Sequence, residues 1–211
     1  MPEKPSETRR LGLIQKIVAL FMHEGVSHQT MEGIADNIGV SKRTLYKYFP
    51  NKEILIDLVI RYKLESIEAQ ILSMQASGKP VLERIVGFFT IIEKALKPMQ
   101  SKLMMDITKN APWIWPKIDE FRHTRILIHL GALLKEGYEQ GYLRSDLNLD
   151  VISLIYMAII EQVGRPEIIS KMNIPPSQIV ETVLGVVFQG ILSETGRCAF
   201  QEEYMKGPSH E

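Results

Sequence analysis

The sequence predicts an all-α fold, and three observations lead to this prediction. Apolar residues recur at intervals of three and four in one run after another, as they do along one face of a helix. Glycine and proline separate these runs, at the places where helices begin and end. No run alternates apolar and polar residues over the length of a strand. With 211 residues, 45% of them hydrophobic, the chain can build one ordinary domain and one small one.

The first helix is predicted to run from Glu7 to Glu24. Its apolar residues share one face: Ile14, Ile17, Val18 and Phe21. Gly25 is expected to end it, because glycine adopts the left-handed conformation that closes many helices.

Two short helices joined by a tight turn are predicted next. Thr30 and Ser41 are good N-terminal caps for these two helices, and Asn51 is a good cap for a third. Gly39 suits the left-handed turn, and Val40 is expected to fill the bend between the helices. The spacing is that of a helix-turn-helix.

The second helix of the pair has two distinct sides. At about 100° per residue, Leu45 and Phe49 fall on one side, and Arg43 and Lys47 fall nearly opposite. The apolar side is expected to pack on the preceding helix, on Ile34, Ala35 and Ile38. Thr44 and Tyr46 lie on the flanks.

The charge around this helix departs from that of the whole chain. The protein has 25 basic and 25 acidic residues, yet no acidic residue occurs from Ser41 to Lys52. Cations in the first turn of a helix are unfavourable by roughly 0.3–1 kcal/mol each unless an external anion is present. A solvated basic surface is the alternative. The combination with helix-turn-helix spacing favours DNA, because a short cationic helix fits the major groove.

Further helices are predicted at about 52–76, 80–97, 99–110, 117–140, 148–164 and 176–196, and residues 199–211 are expected to form a tail. The last two long helices have almost no polar side and therefore need covering on both sides. They lie centrally in a monomer or form a four-helix interface between two chains, and we favour the homodimer. The predicted interface residues are Ile152, Ile155, Ile159, Val163, Val183, Val187, Phe188 and Ile191.

The segment IADNIGVSKRTLYKYFPNKEIL resembles the DNA-binding domain of the tetracycline-repressor (TetR) family of bacterial transcriptional regulators. The matching positions are Ile34 and Ala35; Gly39, Val40 and Ser41; Thr44, Leu45, Tyr46 and Phe49; and Asn51, Lys52 and Glu53. The resemblance covers roughly residues 7 to 60. It implies a divergent helical domain for ligand binding and dimerisation in the rest of the chain. The expected domains are residues 1–52, which bind DNA, and 53–198, followed by the tail.

The resemblance also implies which residues contact DNA. Phosphate contacts are expected from Thr44, Tyr46 and Lys52. Arg43 stands where many family members have a small residue, and it can pair bidentately with guanine. The full predicted set is Thr30, Ser41, Lys42, Arg43, Thr44, Tyr46, Lys47, Tyr48 and Lys52. The expected partner is double-stranded DNA carrying a palindromic operator.

A set of aromatic and methionine residues in the middle of the chain suggests a pocket for an apolar small-molecule effector. Its members are Phe88, Met104, Met105, Trp113, Trp115, Phe121 and Met157. Ordinary core is the alternative for each of them taken singly. The helical body without an effector, as a structural dimer or a protein-interaction platform, also remains open.

Other functional classes find little support in the sequence. It has no phosphate-binding glycine loop, no HExxH and no Gly-x-Ser-x-Gly, so an enzyme is not expected. No cofactor or metal site is expected, and the single Cys198 excludes an intramolecular disulfide. No run reaches the ~20 apolar residues of a membrane span, and no signal peptide is recognisable. We therefore expect a cytoplasmic regulator, most simply a repressor that an effector releases from DNA.

Overall fold

The structure, a computed structural model, describes residues 7–97, 102–163, 165, 168 and 175–202. Within these ranges the chain is helical, and its only β pairing is an isolated bridge between Leu143 and Leu192. The predicted all-α class is confirmed. None of the described helices is long and apolar enough to cross a membrane.

Six helices make up the first half of the chain: α1 (Glu7–Glu24), α2 (Met31–Ile38), α3 (Lys42–Tyr48), α4 (Lys52–Gln75), α5 (Val81–Leu96) and α6 (Lys102–Asn110). A 3-10 turn at Pro112–Ile114 leads into α7 (Trp115–Phe121), a π-helical segment (Arg122–Ile126) and α8 (Leu127–Glu139). The remaining elements are α9 (Leu149–Val163), α10 (Pro176–Val183), a second π-helical segment (Leu184–Phe188), α11 (Gln189–Ile191) and α12 (Glu194–Phe200).

The bounds of α1 agree with the prediction, and Gly25 follows it with a positive φ of 77°. The predicted helix 176–196 is wrong at its end. Leu192 is extended, and the side chain of Ser193 caps a new helix by accepting a hydrogen bond from the Gly196 amide. Residues 199 and 200, predicted to begin the tail, close this helix. Residues 99–101 and 203–211, also part of these predictions, lie outside the described residues.

The described residues divide into two compact units. Unit 1 lies within Met1–Ile67 and Pro98–Asp119, and unit 2 within Glu68–Lys97 and Glu120–Glu211. The boundary between them falls inside α4, whereas the sequence suggested a boundary between residues 52 and 53. Unit 1 also includes α6, which the sequence assigned to the helical body.

Unit 1 is built around one apolar core. The predicted stripe of α1 supplies it with Ile14, Ile17 and Phe21, the last two fully buried. Ile107 of α6 and Leu55 of α4 are also fully buried in this core. Two segments far apart in sequence therefore form a single hydrophobic interior with the short helices α2 and α3.

A carboxylate of α6 holds the loop between α1 and α2. Asp106 Oδ2 accepts hydrogen bonds from the backbone amides of Val26 (2.8 Å) and Ser27 (2.9 Å). Asn110 Nδ2, one turn further along α6, donates to Ser27 Oγ at 2.8 Å. Charge-assisted bonds to backbone amides are stronger than neutral ones, so α6 fixes the point at which the chain enters α2.

Unit 2 contains a tight junction between the turn after α8 and the break before α12. The amide of Ser193 donates to the Tyr142 carbonyl at 2.9 Å, and the amide of Arg144 donates to the Ile191 carbonyl at 2.9 Å. Gly196 packs against the Tyr142 carbonyl so closely that an added Cβ would overlap the carbonyl oxygen. The first turn of α12 therefore rests directly on the backbone of the turn.

This packing predicts that Gly196→Ala destabilises the protein. The methyl group would overlap a backbone atom that cannot rotate away, and overpacking of this kind costs about 1–3 kcal/mol. Thermal unfolding followed by circular dichroism measures the change in stability. Gly131→Ala is the matched control: this α8 position has open space, so alanine should leave the stability unchanged or raise it by about 0.5–1 kcal/mol. Equal melting temperatures for Gly196→Ala and the wild-type protein would contradict the packing argument.

Candidate DNA-binding surface

The caps of the helix-turn-helix are those that the sequence predicts. Thr30 Oγ1 accepts a hydrogen bond from the Gly33 amide at 3.0 Å and so caps α2. Ser41 Oγ accepts from the Thr44 amide at 3.1 Å and caps α3. Asn51 Oδ1 accepts from the Ile54 amide at 2.8 Å at the start of α4. Each cap satisfies an amide at a helix N-terminus that has no partner within the helix.

The turn between α2 and α3 depends on Gly39. Its φ of 72° and ψ of 41° are left-handed, a conformation that costs other residues energy. The amide of Val40 then donates to the Ala35 carbonyl at 2.9 Å and closes the turn. The prediction for Gly39 is confirmed.

The inner side of α3 is its apolar side. Leu45 and Phe49 are both fully buried and belong to the same hydrophobic core as Ile34, Ala35 and Ile38. The helical periodicity predicted this arrangement, and the structure confirms it. Because the inner side is held by burial, the opposite side of α3 must face outward.

The outer side of α3 is cationic and exposed. Arg43 and Lys47 lie one turn apart on it, and Tyr46 beside them is 39% exposed. Neither Arg43 nor Lys47 makes a hydrogen bond or an ion pair within the described residues. Both side chains are therefore available for an external partner. We call this set, Arg43, Tyr46 and Lys47, the outer face of α3.

Lys42, at the start of α3, has a partner within the protein. Its ammonium forms an ion pair with Glu32 of α2 and lies 6.0 Å from the centre of the Tyr46 ring. The hydrogen bond between the two side chains raises the pKa of Lys42 and lowers that of Glu32. Lys42 therefore stays charged. To contact DNA, it must either break its ion pair with Glu32 or bind Glu32 and the DNA at the same time.

Two other predicted DNA-contacting residues are more enclosed than expected. Tyr48 is only 8% exposed and lies against Phe49, with ring centres 6.2 Å apart. Most of its ring therefore belongs to the core, and a contact with the DNA backbone stays a prediction. Lys52 is half-buried; burial lowers its pKa, and the neighbouring Asp106 carboxylate opposes that shift.

The predicted effector-pocket residues are distributed over both units. Met104, Met105, Trp113 and Trp115 belong to unit 1, and Phe88, Phe121 and Met157 to unit 2. Phe88, Met104 and Met157 are buried, as interior residues must be. Met105 and Trp113 are 48% and 42% exposed, and a role of these two residues in an effector pocket stays a prediction.

The structure buries three of the residues that were predicted to form the dimer interface. Ile152, Phe188 and Ile191 are at most 7% exposed within a single chain, so they belong to its own core. Among the described side chains of α9, the exposed large apolar ones are Val151, Leu154 and Ile155, and Val186 is 69% exposed in the second π-helical segment. Ile159, Val183 and Val187 are half-buried, and the side chain of Val163 lies outside the described residues.

Sequence reasoning missed two acidic residues near the surface. Glu32 pairs with Lys42 from a different helix, and Asp106 holds a loop that lies about 80 positions earlier in the chain. No local sequence pattern indicates either pairing. Acidic residues on helices are usually solvated, and only the fold brings these two to their partners.

These features define a helix-turn-helix that presents an exposed cationic helix, the geometry of a major-groove reader. Comparison with known proteins agrees. Residues 13–59 match the sequence model of the tetR family of bacterial regulatory proteins. The uncharacterised HTH-type transcriptional regulator YvaF of Bacillus subtilis is 27% identical over 185 residues, which cover 86% of this chain and 95% of YvaF.

Further relatives and solved structures point the same way. The HTH-type transcriptional repressor KstR2 of Mycobacterium tuberculosis is 26% identical over 69% of this chain and 74% of its own. A TetR transcription regulator from Haloarcula marismortui superposes with a TM-score of 0.71, at 16% identity, over 89% of this chain and 100% of its own. At that identity the likeness shows the fold alone. The resemblance in the sequence is thus confirmed: residues 13–59 match the DNA-binding domain of the tetR family, and most of the chain is similar to HTH-type transcriptional regulators.

The exposed guanidinium on the outer face of α3 predicts that Arg43 reads a base. Arg43→Ala should weaken binding to a selected operator by roughly 1–3 kcal/mol and relax the preference at one position per half-site. Arg43→Lys should keep part of the affinity but not the preference, because lysine lacks the bidentate fork. Fluorescence anisotropy against single-base operator variants measures both quantities.

Arg61→Ala is the control for Arg43. Arg61 is also exposed but pairs with Asp57 on α4, so its removal should leave operator preference unchanged. Unchanged affinity and preference in Arg43→Ala would show that Arg43 does not contact bases.

The predicted phosphate contact of Lys52 should affect the salt dependence of DNA binding and not the preference for particular bases. Lys52→Ala should weaken binding to all sequences alike and reduce the slope of log K against log salt by about 0.9 for each phosphate that is no longer neutralised. Lys52→Arg keeps the charge and should restore the slope. Lys135→Ala removes an exposed cation of unit 2 and should change nothing. A salt slope that Lys52→Ala leaves intact would remove Lys52 from the residues that bind phosphate.

Proposed function

We propose that the protein is a repressor that binds a palindromic operator as a homodimer and is released from it by an apolar small molecule. The observation that carries the DNA-binding part is the division of α3 into a fully buried side, Leu45 and Phe49, and an exposed cationic side. Since burial fixes the inner side, the orientation of Arg43 and Lys47 is set before DNA is met.

Dimerisation is supported by the exposed apolar residues of the last helices. Val151, Leu154 and Ile155 follow the spacing i, i+3, i+4 along α9, and their exposed fractions are 51%, 66% and 41%. We call these three residues and Val186, which is exposed in the second π-helical segment, the exposed stripe. Exposed large apolar residues that share one face of a helix often mark an interaction site. A single recognition helix reads only a few base pairs, whereas a two-fold pair reads two half-sites of a palindrome.

A relative supports the proposal that the protein represses transcription, and the interior of unit 2 supports the proposal of an apolar effector. KstR2 of Mycobacterium tuberculosis is a transcriptional repressor, and its solved structure is that of a ketosteroid transcriptional regulator. The interior of unit 2 holds large aromatic side chains and Met157, which suit apolar molecules. A ligand can shift DNA binding only through its different affinities for two states of the protein. We place the protein in the cytoplasm, where bacterial DNA lies.

Selection of binding sites from random duplexes tests the proposal most directly. The expected result is a palindromic consensus bound by two chains, with affinity that falls when apolar compounds are added. Retention of DNA without sequence preference at physiological salt would contradict the DNA-binding part. A palindromic consensus that no apolar compound weakens would instead favour a regulator without an effector.

The exposed stripe predicts that Leu154→Glu gives monomers. A buried carboxylate without a partner costs several kcal/mol in an apolar interface. Operator affinity should fall as well, because only one half-site is then bound. Light scattering measures the mass. Ile128→Glu is the matched control, since Ile128 is 64% exposed but lies on α8. A dimer that persists in Leu154→Glu, or in the double variant with Val186→Glu, would reject this interface.

A further inference from the structure

Tyr156 of α9 is the largest fully buried side chain of unit 2. Its hydroxyl has no hydrogen-bond partner among the described residues. Leaving a buried polar group without a partner is unfavourable. A phenylalanine would fill the same space without that cost, so the packing of unit 2 does not account for the hydroxyl.

The surroundings of Tyr156 are aromatic. Its ring centre lies 5.4 Å from that of Phe89 on α5. Phe89 in turn lies 5.6 Å from Phe88 and 6.1 Å from Phe188. We call these four residues, Phe88, Phe89, Tyr156 and Phe188, the aromatic cluster. Three separate parts of unit 2 supply its rings, and Tyr156 carries its only polar side-chain atom.

The cluster also adjoins irregular helical structure. Phe188 is the last residue of the π-helical segment Leu184–Phe188. Such segments are uncommon and occur frequently at functional sites. Met157, next to Tyr156 in sequence, is buried as well. Methionine has three rotatable bonds and can repack to admit a ligand.

The hydroxyl of Tyr156 is a permanent donor. Burial raises its pKa well above the ordinary value of a tyrosine, so it keeps its proton at physiological pH. In an apolar interior a hydrogen bond is electrostatically stronger than in water. An acceptor placed here would therefore gain a bond that the ligand-free protein lacks.

We propose that Tyr156 is the hydrogen-bond donor of an effector site in unit 2, and that the site takes a neutral, mainly apolar molecule with a carbonyl acceptor. This inference rests on the proposed effector-responsive function and names the chemistry of the ligand. A neutral ligand follows from the cluster, because its four rings offer no cation to compensate a buried carboxylate. Arg122, the one buried charged residue in the described ranges, already has interactions of its own.

The test uses two fluorescent probes that differ at one group. 6-Propionyl-2-(dimethylamino)naphthalene is a neutral aromatic ketone, and 6-propyl-2-(dimethylamino)naphthalene has a methylene in place of the carbonyl. The full-length protein and Tyr156→Phe are each titrated with both. The preference for the ketone should fall about tenfold in Tyr156→Phe, which corresponds to ~1.4 kcal/mol. The emission of the bound ketone, which responds to hydrogen bonding at its carbonyl, should shift to the blue.

Controls separate the hydroxyl from its context. Tyr142→Phe removes the hydroxyl of a half-buried tyrosine in the same unit and should leave the preference unchanged. Without ligand, Tyr156→Phe should melt at the wild-type temperature or above it, because it removes an unpaired polar group. A melting temperature clearly below that of the wild-type protein would show that the hydroxyl has a structural partner and would overturn the proposal.

Two further outcomes also overturn it: equal ketone preference in the wild-type protein and Tyr156→Phe, and binding of neither probe to the wild-type protein. The result is independent of the operator, because the titration contains no DNA. Tyr156→Phe should bind a selected operator as the wild-type protein does. If no operator can be selected while the ketone preference depends on Tyr156, the proposed function fails and this site remains.

Discussion

Burial of one side of a seven-residue helix is the constraint on which the DNA-binding surface depends. A helix as short as α3 is marginal by itself. Leu45 and Phe49, both fully buried, hold it against the core of unit 1. That burial sets the rotation of the helix about its axis and so turns Arg43 and Lys47 outward. Asp106 adds a second restraint, because its bonds to the amides of Val26 and Ser27 fix the loop that leads into α2.

Local chemistry made this part of the fold predictable. The caps of α2 and α3 are short polar side chains that each accept a hydrogen bond from the amide three residues later. Position 39 needs glycine because its backbone is left-handed. The period of the α-helix places Leu45 and Arg43 on opposite sides of α3. Each of these signals lies within about four residues of its effect. A single sequence therefore specifies the helix-turn-helix, including the side of α3 that faces outward.

The helical body was less predictable because its determinants are distant in sequence. Helix α9 is apolar nearly all round, so periodicity cannot tell which side faces inward, and the predicted interface included the buried Ile152 instead of the exposed Leu154. The break before α12 arises where Gly196 meets the carbonyl of Tyr142, a contact across more than 50 positions. The unpaired hydroxyl of Tyr156 is likewise visible only when the neighbouring rings are in place.

The surface charges bear on how much of the expected DNA affinity comes from nonspecific attraction to phosphates and how much from specific contacts. The chain has no net charge, so its long-range attraction to DNA must come from a few local cations. Nonspecific affinity grows with the number of phosphates neutralised, and one candidate, Lys42, is already paired with Glu32. For Lys42, binding DNA exchanges one anionic partner for another, and the net gain is smaller than for a free cation. Arg43 and Lys47 bear no such cost. If the outer face of α3 makes the specific contacts that we predict, those contacts should contribute a larger share of the binding free energy than in a strongly basic protein.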